Sequence, residues 1–261
     1  MDEKRGLALI SRSIFDGACY LWAALALAVV PYLLLRPAPY GRHSRTGWGP
    51  TLNARLAWVL MEAPSPILMS AFFALGRKPW GSVESLFLLL WLSHYLYRAF
   101  VFPLLLPPSS RPMPLTIVAS GAFFNLVNAS LNGAWLFSLS PSRPAAWLSS
   151  TTFIVGATMF VGGYLAHLFA DRHLRRLRRE TGGARGVPRG WLFRFVSCPN
   201  YLGEIVEWTG FAIATWSPSG LLFALWTAAN LVPRALHHHR WYRANFPDYP
   251  PERRAVLPFV L

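Results

Sequence analysis

The residues best suited to chemistry in this sequence are carboxylates and amides placed within apolar stretches. In the segment SCPNYLGEIVEWTGFAIATW, Asn200, Glu204 and Glu207 follow a spacing of i, i+4 and i+7, which puts them on one face of a helix. An ionisable side chain in hydrocarbon costs about 2.5–3.5 kcal/mol on insertion scales, so it usually faces the interior of a helical bundle. We therefore expect these side chains to face other polar groups or a ligand.

A third acid stands alone in another apolar stretch. Glu62 follows Arg55 by seven positions and precedes Pro64 and Pro66, with no closer basic residue in the sequence. Prolines interrupt a helix, and a broken membrane helix is tolerated where it lines a cavity. Glu62 is therefore a candidate functional residue.

Four other apolar stretches carry polar faces at helical spacing. They comprise Tyr95, Arg98 and Phe102; Asn125, Asn128 and Asn132; His167, Asp171, Arg175 and Arg178; and Arg234, His238 and Tyr242. Arginine suits phosphate groups, and the aromatic residues suit a flat heterocycle. The sequence has no G-x-G-x-x-G or Walker loop, so a dinucleotide would bind without a Rossmann domain. No metal-ligand spacing occurs among the cysteines and histidines.

Simpler interpretations of these faces remain open. The arginines at 175–179 would also serve as a solvated, positively charged flank, and the histidines at 237–239 would suit an interface with lipid headgroups. Tyr95 and Tyr242 are compatible with an aromatic belt. Glu204 and Glu207 are compatible with a structural network involving Arg98 or Arg234.

The elements that must position these residues are membrane helices. Hydrophobic residues make up 54% of the chain and charged residues only 14%, which is less charge than a soluble domain of this length carries. Seven apolar stretches have roughly the length of a membrane span: 17–35, 55–76, 83–106, 114–138, 147–170, 200–216 and 219–239. The sequence therefore predicts an all-α integral membrane protein. Its single domain, 1–261, consists of seven transmembrane helices enclosing a cavity open to the cytosol.

The net charge of +14 reflects topology rather than nucleic-acid binding. Most basic residues fall in 36–55, 107–113, 171–199 and the C-terminal tail, which seven spans place on one side of the membrane. By the positive-inside rule that side is cytosolic and the N-terminus lies outside. We expect a monomer in the bacterial cytoplasmic membrane, or in the endoplasmic reticulum if the source is eukaryotic. The lysines, Lys4 and Lys78, lie outside the spans, which excludes a retinal Schiff base.

The sequence resembles the steroid 5α-reductase family, with its strongest likeness to the type 2 branch. The segments that carry the resemblance, in order, are PYGRHS, AWVLMEAPS, HYLYRAFVF, DRHLRRLR, NYLGEIVEW, RALHHHRWY and FPDYP with LPF. They cover essentially the whole chain. The resemblance implies NADPH-dependent reduction of the C4–C5 double bond of 3-oxo-Δ4 steroids to 5α products. Related enzymes of the family reduce polyprenal or enoyl-CoA substrates, and that alternative is kept open.

The resemblance also implies roles for individual residues. Glu62 and Tyr95 match the catalytic pair that hydrogen-bonds the steroid 3-ketone. The positions that match the NADPH site are Tyr40, Arg42, Arg98, Phe102, Arg111, His167, Asp171, Arg175, Arg178, Asn200, Glu204, Arg234, His238 and Tyr242. The chain departs from the family at His167, where the family has asparagine, at Phe102, where tyrosine is common, and at Arg185, where some members have tyrosine.

The implied chemistry explains why these residue types are needed. Hydride addition to the β-carbon of an enone places negative charge on the carbonyl oxygen, which hydrogen-bond donors stabilise. Tyr95 is such a donor, and because burial disfavours a charged carboxyl, a neutral Glu62 is expected to donate as well. In ketosteroid isomerase, which has an unrelated fold, an apolar site likewise keeps a carboxylic acid neutral so that it donates a hydrogen bond. Rival interpretations are a membrane methyltransferase using S-adenosylmethionine and a lipid transporter.

Overall fold

The computed structural model describes residues 11–45, 47–107, 110–182 and 186–261, and these residues are predominantly helical. The α-helices are α1 (Arg12–Leu35), α2 (Ala54–Glu62), α3 (Pro64–Leu75), α4 (Val83–Leu96), α5 (Phe102–Leu104), α6 (Leu115–Ala134), α7 (Thr151–Glu180), α8 (Pro199–Thr215) and α9 (Pro218–Asn245). Five-residue π-helical turns follow α4 (Tyr97–Val101) and α6 (Trp135–Leu139). Three short 3₁₀ turns cover Gly41–His43, Ala145–Ser149 and Trp191–Arg194.

Five helical stretches are long and apolar enough to cross a membrane. They are Arg12–Leu35, Ala54–Leu75, Val83–Leu104, Leu115–Leu139 and Thr151–Glu180. The bounds of the first four agree with the predicted spans to within five residues at each end, whereas the fifth begins four residues later than predicted and continues ten residues beyond the predicted end. The sixth and seventh predicted spans correspond to α8, which has 17 residues, and α9, which has 28 and ends in basic sequence. The structure thus supports a helical membrane protein with five candidate spans, and the count of seven stays a prediction.

The prolines break the second span at the predicted place. Helix α2 ends at Glu62, and α3 begins at Pro64, so the acid occupies the last position before the break. Proline lacks the backbone N–H that would continue the helical ladder. Glu62 therefore lies where the backbone of α2 stops supplying its own hydrogen-bond partners.

The described residues cluster into two compact units. The first comprises residues 11–22, 38–154 and 215–220, and the second comprises 23–37, 155–214 and 221–261. In the first unit, α6 packs against α2 and α3. Strands β1 (Thr51–Leu52) and β2 (Met113–Pro114) pair antiparallel there, an element that the sequence does not predict.

In the second unit, α7 and α8 approach so closely that their backbones touch. Gly156 and Gly163 on α7 face Gly210 and Gly203 on α8, and a Cβ at any of the four would collide with the facing backbone. Small residues allow this approach in membrane helices, where close van der Waals packing drives association. The contact fixes the register between the polar faces of the two helices.

Candidate functional site

Glu62 lies in a buried polar cluster of the first unit, which we call the Glu62 cluster (Glu62, Arg98, Asn125). Asn125 on α6 donates from Nδ2 to Glu62 Oε2 at 3.0 Å and to the Met61 carbonyl oxygen at 2.8 Å. Arg98 Nε lies 3.7 Å from Glu62 Oε1. The acid that has no basic neighbour in the sequence therefore gains a cation and an amide donor in the fold.

Two aromatic rings hold Arg98 in place. Its guanidinium carbon lies 4.5 Å from the centroid of the Trp58 ring and 5.0 Å from that of Phe102. These rings also meet edge to face, with centroids 5.1 Å apart. Such contacts attract a guanidinium to the ring faces. Phe102, which the sequence assigned to the cofactor side, lies against Arg98 in this unit.

Tyr95 lies on α4, just before the π-helical turn that contains Arg98, and its ring is positioned by stacking. Its ring stacks on Trp91 with centroids 5.1 Å apart, and the indole nitrogen of Trp91 donates to Ser65 Oγ at 3.0 Å. All three side chains are buried. The bond between Trp91 and Ser65 joins α4 to α3 immediately after the proline break, so it supports the ring of Tyr95.

The second unit carries a histidine-centred group, the His167 cluster (His167, Asp171, Asn200, Glu204). His167 Nδ1 lies 3.0 Å from Glu204 Oε1, and Nε2 lies 3.8 Å from Asp171 Oδ2. Asn200 Nδ2 donates to Asp171 Oδ1 at 3.3 Å. A Cβ at Gly203 would collide with the backbone of His167, so the glycine contact between α7 and α8 is what brings these four side chains together.

A third group lies on α8 and α9, and we call it the Tyr201 cluster (Tyr201, Arg234, His238). Arg234 Nε donates to Tyr201 Oη at 2.8 Å, and the same oxygen lies 3.2 Å from His238 Nε2. Sequence analysis selected Arg234 and His238 but missed Tyr201, which joins them. The tyrosine directly follows Asn200, so its position beside a selected residue was the available signal.

Tyr242 is buried in an aromatic stack near the C-terminus. Its ring stacks on Tyr249 with centroids 5.3 Å apart and an interplanar angle of 6°. Tyr249 Oη lies 2.6 Å from Ser197 Oγ, which is also 2.7 Å from His239 Nδ1. Burial raises the pKa of the Tyr249 hydroxyl, so this residue remains a neutral phenol. These bonds hold the C-terminal segment against the start of α8.

The basic flank of α7 separates into one half-buried arginine and several exposed ones. Arg175 is half-buried, and its Nη1 atom is enclosed without a hydrogen-bond partner among the described residues. Arg178 is exposed. A buried guanidinium nitrogen without an acceptor is costly, and a phosphate oxygen is a suitable acceptor. Arg175, together with the carboxylate of Asp171, fits the phosphates and ribose hydroxyls of a dinucleotide.

Tyr40, Arg111 and Arg42 are the remaining residues that the resemblance assigned to the cofactor site. Tyr40 packs against a core of Ala57, Met61, Met113 and Val118. Arg111 is exposed. The side chain of Arg42 lies outside the described residues.

Comparison with known proteins gives a consistent result. The sequence profile described as 3-oxo-5-alpha-steroid 4-dehydrogenase matches residues 111–261. Steroid 5-alpha-reductase DET2 of Arabidopsis thaliana is 41% identical over 229 residues, covering 85% of this chain and 87% of the plant protein. The 3-oxo-5-alpha-steroid 4-dehydrogenase 1 of Bos taurus is 35% identical over 98% of this chain and 100% of its own length.

The chain belongs to the 3-oxo-5-alpha-steroid 4-dehydrogenase family. The type 2 enzyme of Homo sapiens is 36% identical over 90% of this chain and 93% of its own length. The two mammalian types thus match at nearly equal identity, and the comparison establishes the family rather than one type. A member of this family is an oxidoreductase, which excludes the methyltransferase and transporter interpretations.

Proposed function

We propose that this member of the family catalyses NADPH-dependent reduction of the C4–C5 double bond of 3-oxo-Δ4 steroids to 5α-dihydrosteroids. The observation that carries the proposal is the similarity to proteins named for this activity over most of both chains. The chemistry of the three clusters supports it. One unit holds donors suited to a developing oxyanion, and the other holds cations and acceptors suited to a dinucleotide.

The Glu62 cluster would hold the steroid ketone. A neutral Glu62 and the hydroxyl of Tyr95 would each donate a hydrogen bond to the carbonyl oxygen. Both donors strengthen as the enone becomes an enolate, because negative charge then accumulates on that oxygen. Arg98, whose Nε lies 3.7 Å from Glu62 Oε1, would add a positive charge that offsets the negative charge developing on the ketone oxygen.

The cofactor would be held by the second unit. Arg175 and Arg234 would bind its phosphates, and Asp171 would accept hydrogen bonds from its ribose hydroxyls. Asn200 and Glu204 would contact the nicotinamide end, while Glu207, which is fully buried one turn further along α8, would be structural. NADPH would supply the hydride that adds to C5, and a proton from water would complete the saturated ketone at C4.

The topology and assembly are part of the same proposal. Seven spans, an external N-terminus, a cytosolic C-terminus and a monomeric state would place the basic flank of α7 on the cytosolic side, where NADPH is available. The predominance of arginine in the cytosolic loops supports this orientation. Accessibility labelling of cysteines introduced at each loop tests it, and both termini on the same side would contradict it.

Incubation of the purified protein with NADPH and testosterone or progesterone tests the activity. We expect loss of absorbance at 340 nm and a 5α-reduced product, because nicotinamide oxidation accompanies double-bond reduction. Parallel reactions with a polyprenal and an enoyl-CoA distinguish the steroid proposal from the family alternative. Reduction of the linear substrates alone would show that the protein is an enone reductase and would contradict the assignment of a steroid substrate.

A further inference from the structure

One hydroxyl group joins the two side chains of α9 in the Tyr201 cluster. Arg234 Nε donates to Tyr201 Oη at 2.8 Å, and His238 Nε2 lies 3.2 Å from the same oxygen. Arg234 and His238 are four positions apart on α9, so they lie on one face of that helix. Tyr201 comes from α8. Its hydroxyl therefore ties the face of α9 that carries both selected residues to the neighbouring helix.

The ring of Tyr201 is held in place by packing. It lies against a core of Cys198, Ala235, Ala255 and Val256, which belong to the segment before α8, to α9 and to the C-terminal segment. A tyrosine has only two side-chain torsions to fix, whereas ordering an arginine side chain costs about 1.5–2 kcal/mol of conformational entropy. The packed tyrosine is thus a rigid support for a flexible arginine.

The donors and acceptors of the cluster follow from the chemistry of its groups. A guanidinium only donates, so Tyr201 Oη accepts from Arg234. The phenol keeps its own proton, which a ring nitrogen of a neutral histidine accepts. We assign this proton to the bond with His238 Nε2, which places the proton of the neutral imidazole on Nδ1. The hydrogen bonds then run in one direction, from Arg234 through Tyr201 to His238, and the bonds of such a chain strengthen one another.

A guanidinium of fixed orientation is well suited to bind a phosphate. The five N–H donors of arginine form a rigid planar fork, so a bond to Nε sets the plane in which both Nη groups lie. We propose that Tyr201 is a positioning residue for the cofactor. Its hydroxyl holds Arg234 in the orientation that binds the phosphates of NADPH, and it holds His238 as the Nδ1–H tautomer. This inference rests on the proposed function, in which Arg234 binds those phosphates.

Removal of the single hydroxyl tests the proposal. Tyr201→Phe keeps the ring that packs in the core, and Tyr249→Phe is the matched control. Tyr249 is also buried in the second unit, and its Oη atom lies 2.6 Å from Ser197 Oγ. We expect Tyr201→Phe to raise the Kd for NADPH about 3–10-fold, because one long side chain must then be immobilised on binding, and Tyr249→Phe to change it less than about twofold. Equal Kd values for the two variants would overturn the proposal.

Kinetic constants separate positioning from a general loss of structure. Tyr201→Phe should raise the KM for NADPH, while kcat at saturating NADPH and the KM for the steroid stay within about twofold of the wild type. A fall in kcat with an unchanged KM for NADPH would overturn the proposal. The Kd for 2′-phospho-ADP-ribose, which carries the phosphates of the cofactor without its nicotinamide, should rise as much as that for NADPH. A rise for NADPH alone would place the effect at the nicotinamide and would also overturn the proposal.

A double-mutant cycle identifies the residue through which Tyr201 acts. In the Arg234→Ala background, Tyr201→Phe should change the Kd for NADPH less than about twofold, because the side chain that it orients is already absent. Tyr249→Phe should have the same small effect in both backgrounds. Equal losses from Tyr201→Phe with and without Arg234 would overturn the proposal, since Tyr201 would then act independently of Arg234.

Nitrogen-15 NMR of histidine-labelled protein in lipid nanodiscs tests the direction of the bonds without turnover. Comparison of the wild type with His238→Gln identifies the signals of His238. We expect a protonated Nδ1 and an unprotonated Nε2 in the wild type, and a loss of this preference in Tyr201→Phe. A wild-type His238 with its proton on Nε2 would overturn the proposal. The wild-type spectrum needs no variant at position 201, so it decides the question if Tyr201→Phe does not fold.

Failure of the proposed function is distinguishable from failure of this inference. If the wild type binds NADPH but reduces none of the enones, the proposed substrate is wrong, and the titrations still decide the role of Tyr201. If the wild type does not bind NADPH, the proposed cofactor and the role of Tyr201 are both wrong.

Discussion

Gly162 and Gly163 are adjacent on α7 and offer a matched pair of substitutions. A Cβ at Gly163 would overlap the backbone nitrogen of Glu207 and would lie 2.6 Å from the carbonyl oxygen of Gly203. Both atoms belong to the backbone of α8, so the clash is relieved only if the helices move apart. A Cβ at Gly162 would meet no described atom within 4 Å.

The magnitudes follow from these contacts. Alanine in place of a helical glycine stabilises by about 0.5–1 kcal/mol, whereas overpacking a close contact costs about 1–3 kcal/mol. We expect Gly162→Ala to be neutral or stabilising and Gly163→Ala to destabilise by about 1–2 kcal/mol. For a chain of this size, each kcal/mol corresponds to about 2–4 °C in Tm. Gly163→Ala should therefore lower Tm by several degrees.

The same displacement should reach the His167 cluster. Normal carbon contacts need about 3.5–4.0 Å, so the helices must separate by roughly 1 Å. The 3.0 Å distance from His167 Nδ1 to Glu204 Oε1 would then exceed hydrogen-bond range. If this contact holds the two side chains in the geometry that binds NADPH, its loss weakens binding by about 1.4 kcal/mol, which is about a tenfold rise in the Kd for NADPH.

Thermal unfolding in detergent and fluorescence titration with NADPH measure the two effects. If Gly162→Ala and Gly163→Ala have equal Tm and equal Kd for NADPH, the close contact between α7 and α8 does not position the residues that we propose to hold the cofactor. A lower Tm with an unchanged Kd would confine the role of the contact to stability.

Three further predictions concern single side chains. Glu62→Gln keeps an N–H donor and should retain more steroid turnover than Glu62→Ala, for which we expect a loss of about 10²–10³-fold; wild-type turnover in Glu62→Ala, or a loss mainly of NADPH affinity, would contradict the assigned role. Arg175→Ala should weaken binding of NADPH more than that of NADH, because a guanidinium suits the additional phosphate. Arg178→Ala, at an exposed arginine, is the comparison, and equal losses for both cofactors in both variants would show that neither arginine binds that phosphate. His167→Asn introduces the residue typical of the family and should keep NADPH affinity, because an amide still pairs with Glu204, whereas His167→Leu should lose that affinity. Equal affinities for these two variants would refute a polar role at this position.

The positions of the elements were predictable because their signals are local. Apolar length set the helix bounds to within a few residues for most spans, and the prolines after Glu62 set the end of α2. The α-helical spacing of Tyr95, Arg98 and Phe102 was only partly valid, because the π-helical turn at Tyr97–Val101 changes the phase of the helix. A π turn has no reliable local signal in a single sequence.

The partners of the candidate residues were less predictable because they depend on the rotation of each helix. The structural alternative for Arg98 invoked Glu204 or Glu207, whereas the structure places Arg98 against Glu62. Asn125 was recognised as part of a polar face, but its contact with Glu62 joins residues 63 positions apart. The glycines of α7 and α8 recur at a spacing of seven, a readable signal of close packing that the sequence analysis did not use. The single domain, 1–261, stays a prediction, and the described residues divide into two compact units.

Isotope labelling tests the central claim, that this chain reduces a steroid enone by hydride addition to C5. The wild type is incubated with testosterone and NADPH carrying deuterium on the transferring face of nicotinamide C4, and the product is analysed by NMR. We expect one deuterium at C5 in the 5α configuration, and a second experiment in D₂O with unlabelled NADPH should place solvent deuterium at C4. Deuterium at C3 of an alcohol product, or no transfer of label from NADPH to the steroid, would contradict the account.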